Sequence, residues 1–252
     1  MSLETSNLPR VASREEWLDA RKALLAEEKA LTRARDKLSA KRRQLPMVKI
    51  EKDYRFTGPD GEVGLVDIFE DRLQLLVQHF MFDPSWDDGC PSCTAGADEI
   101  SDGMLRHIHT RDTTFAAISR APIEKIEKYK AKRGWTFPWY SSFGSDFNYD
   151  FHVTIDPSKA PVEYNFRNAQ ELEQVGMGWM LEPESREQPG HSVFLRVDDE
   201  VFHTYSSYAR GAEWFGGSYA ALDLTPLGRQ EDWEEPKGRA QFAREARPDF
   251  AS

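Results

Sequence analysis

The chain has 252 residues, a formal net charge of −10 at pH 7 and a hydrophobic fraction of 39%. This length allows one large domain with insertions or two small ones. An acidic chain does not offer the basic surface that phosphate neutralisation requires, so we expect no nucleic-acid partner. The first residues contain neither a basic region nor an apolar run, and no stretch has the length of a membrane span. We therefore expect a cytoplasmic protein with no membrane partner, in a compartment where thiols stay mostly reduced.

Residues 13–45 are predicted to form one long helix that ends before Pro46. Ser13 and Glu16 have the spacing of a capping box. A large apolar residue recurs every seven positions, with two leucines beside the stripe: Trp17, Leu24, Leu31 and Leu38, flanked by Leu18 and Leu25. Such a stripe is typical of a helix laid across a domain or of a helix that pairs with a second copy, so a homodimer through this helix is one expectation.

Charge is distributed unevenly along the same helix. Acidic residues outnumber basic residues by five to three over positions 14–28, and basic residues outnumber acidic residues by seven to one over positions 29–43. This gradient places negative charge near the positive end of the helix dipole and positive charge near its negative end. The charge pattern therefore favours the helical assignment.

Beyond residue 54, predicted strands alternate with predicted helices. The elements are, in order, a hairpin around Gly58-Pro59-Asp60-Gly61, a buried strand at 73–82, a helix from Pro91, a buried strand at 114–119, a helix from Pro122 to Gly134, and a strand at 137–142. Pro138 indicates that the last of these strands is an edge strand or contains a bulge. The alternation of strands and helices is typical of a parallel α/β unit.

Residues 143–188 interrupt this regular order. The segment is rich in aromatic residues and contains one short predicted helix, near residues 168–175. We expect an insertion with its own small core, because aromatic clusters usually serve packing, and a lid over a substrate groove is the alternative. The remaining predicted elements are a hairpin at 192–197 and 201–205, a helix around 212–222 and a polar tail beyond 229.

Cys90 and Cys93 are the only cysteines of the chain. Two thiols at this spacing can form a disulfide ring or supply half of a metal site. Pro91 suits the first position of a helix, so Cys90 would be the N-cap. One helical face is predicted to hold Cys93, Ala97, Ile100, Met104 and Ile108. The two thiols are therefore expected to differ, with Cys90 exposed at the helix tip and Cys93 directed inward.

A buried strand that leads to C-x-x-C at a helix tip, followed later by a hairpin and a helix, resembles the thioredoxin fold. In more detail, the chain is similar to a bacterial family of thioredoxin-like proteins known as a domain of unknown function, number eight hundred ninety-nine. The resemblance covers about residues 17–214. It is carried by the N-terminal helical region and by Tyr54-Arg55-Phe56, Gly58-Pro59-Asp60-Gly61, Leu75 to Phe82, Cys90-Pro91-Ser92-Cys93, Phe137 to Ser142 and Ser192 to Tyr208.

The resemblance implies an α/β, thioredoxin-like fold with a long N-terminal helix and an aromatic-rich insertion. The implied organisation is a helix over residues 13–45, a thioredoxin-like domain over 46–228 with the insertion at about 143–188, and a polar tail over 229–252.

The chain departs from thioredoxins at two places near the thiols. Gly89 precedes the first cysteine where thioredoxins have tryptophan, and Trp86 lies further upstream. The segment Pro189-Gly190-His191 stands where thioredoxins have a cis-proline, so the histidine of this segment is expected to face the sulfurs. The peroxiredoxin motif is not met, because Asp83 and Asp87 stand where it needs proline and threonine.

The resemblance and the C-x-x-C spacing together predict dithiol–disulfide exchange, with no cofactor and no metal. Cys90 would attack a substrate disulfide as a thiolate stabilised by the helix N-terminus, and Cys93 would resolve the mixed disulfide. His191 is the first candidate for the base that deprotonates Cys93, and His79 is the second. The substrate would be a disulfide-containing protein or small molecule, and the electron donor stays unassigned. The residues expected to contact the substrate are Trp86, Pro91 and Gly190.

Two other functions stay open for the same residues. Cys90 and Cys93 could bind zinc together with His107 and His109. However, one residue separates these histidines, where common zinc sites have three to five, and no second C-x-x-C exists. The other alternative is a thioredoxin-like binding module with idle cysteines, because a fold does not establish an activity.

Overall fold

The structure, a computed structural model, describes residues 11–212 together with residues 221, 222, 225, 228 and 234. The helix predicted around residues 212–222 and the tail predicted over 229–252 lie largely outside this part of the chain. No helix within the described residues is long and apolar enough to cross a membrane.

The described residues form six α-helices and twelve strands. The helices are α1 (Arg14–Arg42), α2 (Pro91–Asp98), α3 (Asp102–His109), α4 (Ile123–Arg133), α5 (Phe147–Asp150) and α6 (Ala169–Gln174). The strands are β1 (Val48–Lys49), β2 (Arg55–Gly58), β3 (Gly61–Gly64), β4 (Gln74–His79), β5 (Thr113–Ser119), β6 (Trp139–Ser141), β7 (Thr154–Ile155), β8 (Glu163–Tyr164), β9 (Arg167–Asn168), β10 (Arg186–Glu187), β11 (Gly190–Val197) and β12 (Glu200–Tyr208). The predicted long helix is present as α1, and its capping box forms between Ser13 and Glu16.

Four strands form the centre of an eight-stranded sheet, in the order β12-β11-β4-β5. Strands β4 and β5 are parallel, whereas β11 is antiparallel to both β4 and β12. This strand order, in which β11 runs antiparallel to the other three strands, is the central sheet of the thioredoxin fold. The predicted fold class is therefore confirmed.

Further strands extend the sheet on both sides. Strand β6 lies parallel to β5, the β2–β3 hairpin continues the sheet beyond β6, and β1 pairs with β12 at the other edge. The edge position expected from Pro138 was wrong, because β6 lies between β5 and β2. Pro138 directly precedes β6, and its carbonyl accepts a hydrogen bond from the Ala117 N–H at 2.9 Å. The missing N–H of a proline is tolerated at the start of a strand.

The helix predicted to continue from Pro91 to Ile108 is two helices, α2 and α3. Ser101 begins the second one, because its hydroxyl accepts a hydrogen bond from the Met104 N–H at 3.2 Å and so caps α3. Both helices nevertheless face one core cluster, which includes Cys93. The predicted apolar face is therefore present although the predicted helix is interrupted.

Alternate residues of β4 face opposite sides of the sheet. Leu76 packs in the same cluster as Cys93, together with residues of α2, α3 and α4. Val77 packs in a second cluster with Phe147 and Phe151, which belong to the aromatic-rich segment. The insertion therefore covers the second face of the sheet, which agrees with the packing interpretation of its aromatic residues.

Gly190→Ala is predicted to destabilise this fold. A β-carbon at Gly190 would lie 2.8 Å from Cδ1 of Tyr208 and 3.2 Å from the backbone oxygen of Ser207. Because the paired strands hold both atoms in place, we expect the free energy of unfolding to fall by about 1–3 kcal/mol, measured by urea denaturation. Gly96→Ala is the matched control, because the nearest atom to a β-carbon at this position would be Gln78 Nε2, at 3.8 Å. A helix interior also favours alanine over glycine. Equal losses in the two variants would contradict the steric explanation.

Candidate active site

The loop after β4 carries Cys90 to the carboxyl edge of the sheet. Met81, two residues beyond β4, contacts both cysteines through its backbone. Its carbonyl accepts a hydrogen bond from the Cys90 N–H at 3.0 Å, and its N–H donates to the Cys93 sulfur. The end of the buried strand therefore fixes the position of the two thiols.

Cys90 is the N-cap of α2, and Pro91 occupies the start of the helix. The Cys90 side chain is half-buried. Its sulfur accepts hydrogen bonds from the Cys93 thiol, from the backbone N–H groups of Cys93 and Ser92, and from the Ser92 hydroxyl. These donors outweigh the effect of burial and lower the pKa of Cys90 to about 6. Cys90 is therefore mostly a thiolate at pH 7.

Cys93 is buried, with 6% of its surface exposed. Its pKa is raised because its proton is shared with the Cys90 sulfur and because burial disfavours a charged thiolate. The Met81 N–H acts in the opposite direction. Both cysteines are free thiols. The two environments differ in the sense that the helical pattern predicted.

Thr94 attaches the first turn of α2 to α4. Its N–H and its hydroxyl both donate to the Cys90 carbonyl, at 2.9 Å and 2.8 Å. The same hydroxyl lies 2.8 Å from the phenol oxygen of Tyr129 in α4. The N-terminus of α2 is therefore held by a second helix as well as by Met81.

The glycine before the first cysteine has a steric cause. A β-carbon at Gly89 would lie 2.6 Å from Cε1 of Phe80 and 3.1 Å from Cε1 of Tyr129. Phe80 and Tyr129 belong to an aromatic group with Trp135 and Trp139, whose ring centroids lie 4.6–6.4 Å apart. These rings fill the space beneath the loop, so no side chain fits at the position where thioredoxins have tryptophan.

His191 lies on the same face of the sheet as Cys93. It is paired with Gln78 in the β11–β4 register, and Gln78 lies beneath α2, next to Gly96. Val193, two residues further along β11, belongs to the cluster that contains Cys93. Burial lowers the pKa of His191 to about 4, so its imidazole is neutral at pH 7.

His79 lies on the opposite face of the sheet. Its ring stacks on Phe151 with centroids 5.8 Å apart and lies 5.6 Å from Phe147, and its Nε2 is 2.7 Å from Ser192 Oγ. Burial, together with the nearby His191, lowers the pKa of His79 to about 3. The structure therefore does not bring His79, the second candidate base, to the thiols. Side chains of a strand point to alternate faces, and that of His79 points to the face that the insertion covers.

The residues expected to contact the substrate lie in different surroundings. Trp86 is 39% exposed, in the loop between β4 and Cys90, and its carbonyl accepts a hydrogen bond from Lys125 Nζ at 2.8 Å. Pro91 is exposed beside Cys90. Gly190 is buried against the Tyr208 ring, which indicates a packing role for this glycine.

An ionic group around Arg120 lies at the same edge of the sheet and was not predicted from the sequence. The Arg120 guanidinium donates to Glu187 at 2.6 Å, to Asp83 at 2.6 Å and to the phenol oxygen of Tyr149 at 3.0 Å. Arg120 directly follows β5, and a polar residue at the carboxyl end of a parallel strand is a signal for the functional edge of an α/β sheet. Its partners are distant in sequence and had no signal of their own. The group joins the loop before Cys90 to the insertion.

The zinc alternative has no complete ligand set in the described part of the chain. No three histidine, cysteine, aspartate or glutamate side chains converge there on a position for a metal ion. His107 and His109 lie in the last turn of α3, just before β5 begins. They are therefore at the amino edge of the sheet, whereas Cys90 is at the carboxyl edge.

The strand order defines a thioredoxin-fold protein, in which Cys90 and Cys93 lie at the tip of α2. The family model described as a bacterial protein of unknown function (DUF899) matches residues 6–246, so the chain belongs to this family. The resemblance of the sequence to this family is therefore confirmed. Comparison with curated proteins gave no significant match.

Several solved structures are similar to the chain at low identity. They include a bacterioferritin comigratory protein of Xanthomonas campestris (12% identity, TM-score 0.42, covering 65% of this chain and 87% of that chain). Another is peroxidoxin BcpB from Mycobacterium tuberculosis (14% identity, TM-score 0.40, covering 70% of this chain and 91% of that chain). A third is apo Sco1 from Thermus thermophilus (15% identity, TM-score 0.36, covering 67% of this chain and 87% of that chain).

Removal of the Cys93 thiol is predicted to raise the pKa of Cys90, because that thiol is the largest contribution that lowers it. A lowered pKa keeps the thiolate present down to lower pH, so the rate of Cys90 alkylation by iodoacetamide in the wild type should have its midpoint near pH 6. In Cys93→Ala the midpoint should move to higher pH, toward the ordinary value of a cysteine. Cys93→Ser is the matched control, since its hydroxyl still donates and the shift should be smaller. An unchanged profile in Cys93→Ala would contradict the assigned hydrogen bond.

Proposed function

We propose that the protein is a thiol–disulfide oxidoreductase in which Cys90 is the nucleophile and Cys93 the resolving thiol. The observation that carries this proposal is the placement of the two thiols, with Cys90 half-buried as the N-cap of α2 and Cys93 buried in the first turn behind it. Their surroundings shift the two pKa values in opposite directions, downward to about 6 at Cys90 and upward at Cys93. Dithiol exchange needs a thiolate that attacks and a neighbouring thiol that keeps its proton until the attack is complete. The contacts around α2 support this arrangement.

In the first step the Cys90 thiolate attacks one sulfur of a substrate disulfide. A bond forms between Cys90 and that sulfur, the substrate S–S bond breaks, and the other substrate sulfur leaves as a thiolate. Pro91 and Ser92 are exposed beside Cys90, and exposed Trp86 lies in the loop before it. These residues would form the surface on which the substrate lies.

In the second step Cys93 attacks the Cys90 sulfur. The mixed disulfide removes the negative charge from Cys90, and the contact with that sulfur is the first cause of the raised pKa of Cys93. The pKa of Cys93 therefore falls when the mixed disulfide forms, and the Met81 N–H stabilises the resulting thiolate. The Cys90–Cys93 disulfide forms and the second substrate thiolate leaves. Two electrons pass from the protein to the substrate.

In this proposal the proton of Cys93 passes first to His191 and then to the departing substrate thiolate. His191 is on the Cys93 face and is neutral at pH 7, and its pKa of about 4 means that it would hold the proton only briefly. His79 has no role in this scheme, since it lies on the other face. The scheme requires neither a metal nor a cofactor.

A complete cycle needs a dithiol donor that returns two electrons to the Cys90–Cys93 disulfide. The substrate class is a disulfide in a protein or in a small molecule, because a disulfide sulfur is what a thiolate attacks in dithiol exchange. A cytoplasmic location, where such donors are present, belongs to the same proposal.

The proposal predicts that the wild type accelerates the reduction of insulin by dithiothreitol and that Cys90→Ser does not. Cys93→Ser should still attack but should accumulate a mixed disulfide, because no thiol resolves it, and mass spectrometry would detect the adduct. Thermal unfolding of each variant serves as the control for folding. Equal rates for the wild type and Cys90→Ser would remove Cys90 as nucleophile and favour a binding module with idle cysteines.

A further inference from the structure

The large apolar side chains of α1 are not covered by the rest of the described chain. Trp17, Leu24, Leu31 and Leu38 are 48%, 51%, 69% and 56% exposed, and Ser39 is the one buried residue of this helix. Residues at seven-residue spacing lie on one face of a helix, so these four form a continuous apolar strip, called the α1 stripe here. A contiguous exposed apolar strip marks an interaction surface.

The C-terminal end of α1 is attached to the domain. The Arg42 guanidinium lies over the Tyr205 ring, 4.9 Å from its centroid, and Arg43 is buried. From Arg14 to Leu38 every residue is exposed except Arg21, which is half-buried. This exposed length of helix is about 37 Å, which is long enough to pair with another helix over several turns.

The charges of α1 select the partner and its orientation. Over positions 14–28 the five acidic and three basic residues give a net charge of −2, and over positions 29–43 the one acidic and seven basic residues give +6. Two parallel copies would place +6 against +6 and −2 against −2. Two antiparallel copies place each acidic half against a basic half, which is attractive at both ends. We infer that the α1 stripe is an interface with a second copy of this chain, in antiparallel orientation.

The small residues beside the stripe fit the same orientation. Ala20 and Ala34 follow Trp17 and Leu31 by three positions, so they lie along one edge of the stripe. In an antiparallel pair centred near position 29, Leu24 of one copy lies opposite Ala34 of the other. In the same register Leu38 lies opposite Ala20, whereas Leu31 lies opposite Glu27. Large side chains opposite small ones allow two helices to approach closely without voids.

The first test is the oligomeric state of the full chain, measured by analytical ultracentrifugation over a range of concentrations. The wild type should be a dimer. Leu24→Glu with Leu31→Glu should weaken association by roughly 100-fold or more, because four buried leucines are lost per dimer. Ala26→Glu is the matched control, since Ala26 is exposed on the opposite face of α1 and should leave the dimer unchanged. A monomeric wild type, or equal weakening in both variants, would overturn the inference.

The orientation is tested by disulfide cross-linking, which does not depend on the glutamate variants. Chains with Cys90→Ser and Cys93→Ser carry either Ala20→Cys or Leu38→Cys, and the two are mixed and oxidised. Antiparallel pairing predicts a mixed disulfide between the two chains and little disulfide between identical chains. Disulfides between identical chains would indicate parallel pairing, and no cross-link at all would remove α1 as the interface, so either result overturns the inference. Far-UV circular dichroism checks that each variant keeps its helix content.

Discussion

The hydrogen bond between the two thiols determines the protonation of both cysteines. Cys93 donates to the Cys90 sulfur, which lowers the pKa of Cys90 and raises that of Cys93. The same contact therefore favours the thiolate form of Cys90 and keeps Cys93 protonated. In the proposed exchange, a covalent bond to Cys90 removes the negative charge of its sulfur and so weakens this contact. The order of the two proposed chemical steps would then follow from the local structure.

This contact depends on how the chain leaves β4. The backbone of Met81 hydrogen bonds to both cysteines, and Thr94 joins the first turn of α2 to Tyr129 of α4. Gly89 lets the loop lie directly on Phe80 and Tyr129, where a side chain would collide with their rings. A thioredoxin has tryptophan at this position, whereas this chain has aromatic packing beneath the loop and no ring directly before Cys90. The site is thus positioned by buried aromatic residues, which the sheet holds in place.

Local patterns in the sequence were sufficient for the parts of the site that depend on neighbouring residues. The apolar run at 73–82, Pro91 at a helix start and the position of Cys90 were predicted from such patterns. The break before α3 was missed because the apolar spacing continues across it while Ser101 caps a new helix. The side of the sheet on which His79 lies could not be predicted from the sequence, because a strand buried on both sides lacks alternation of polar and apolar residues. The contact of Arg120 with Glu187 joins positions 67 apart in sequence, which no local pattern specifies.

The contacts that lower the pKa of Cys90 would also affect the redox equilibrium of the proposed Cys90–Cys93 couple. At pH 7 the reduced protein carries a Cys90 thiolate that accepts hydrogen bonds from Cys93 and Ser92. A disulfide has no charged sulfur, so these interactions stabilise the reduced form selectively. Stabilising the reduced form raises the reduction potential of the couple. The raised pKa of Cys93 adds nothing at pH 7, because this thiol is protonated there in any case. In the proposed cycle the reduction potential would therefore follow the environment of Cys90, and the dithiol donor need not be unusually strongly reducing to regenerate the pair.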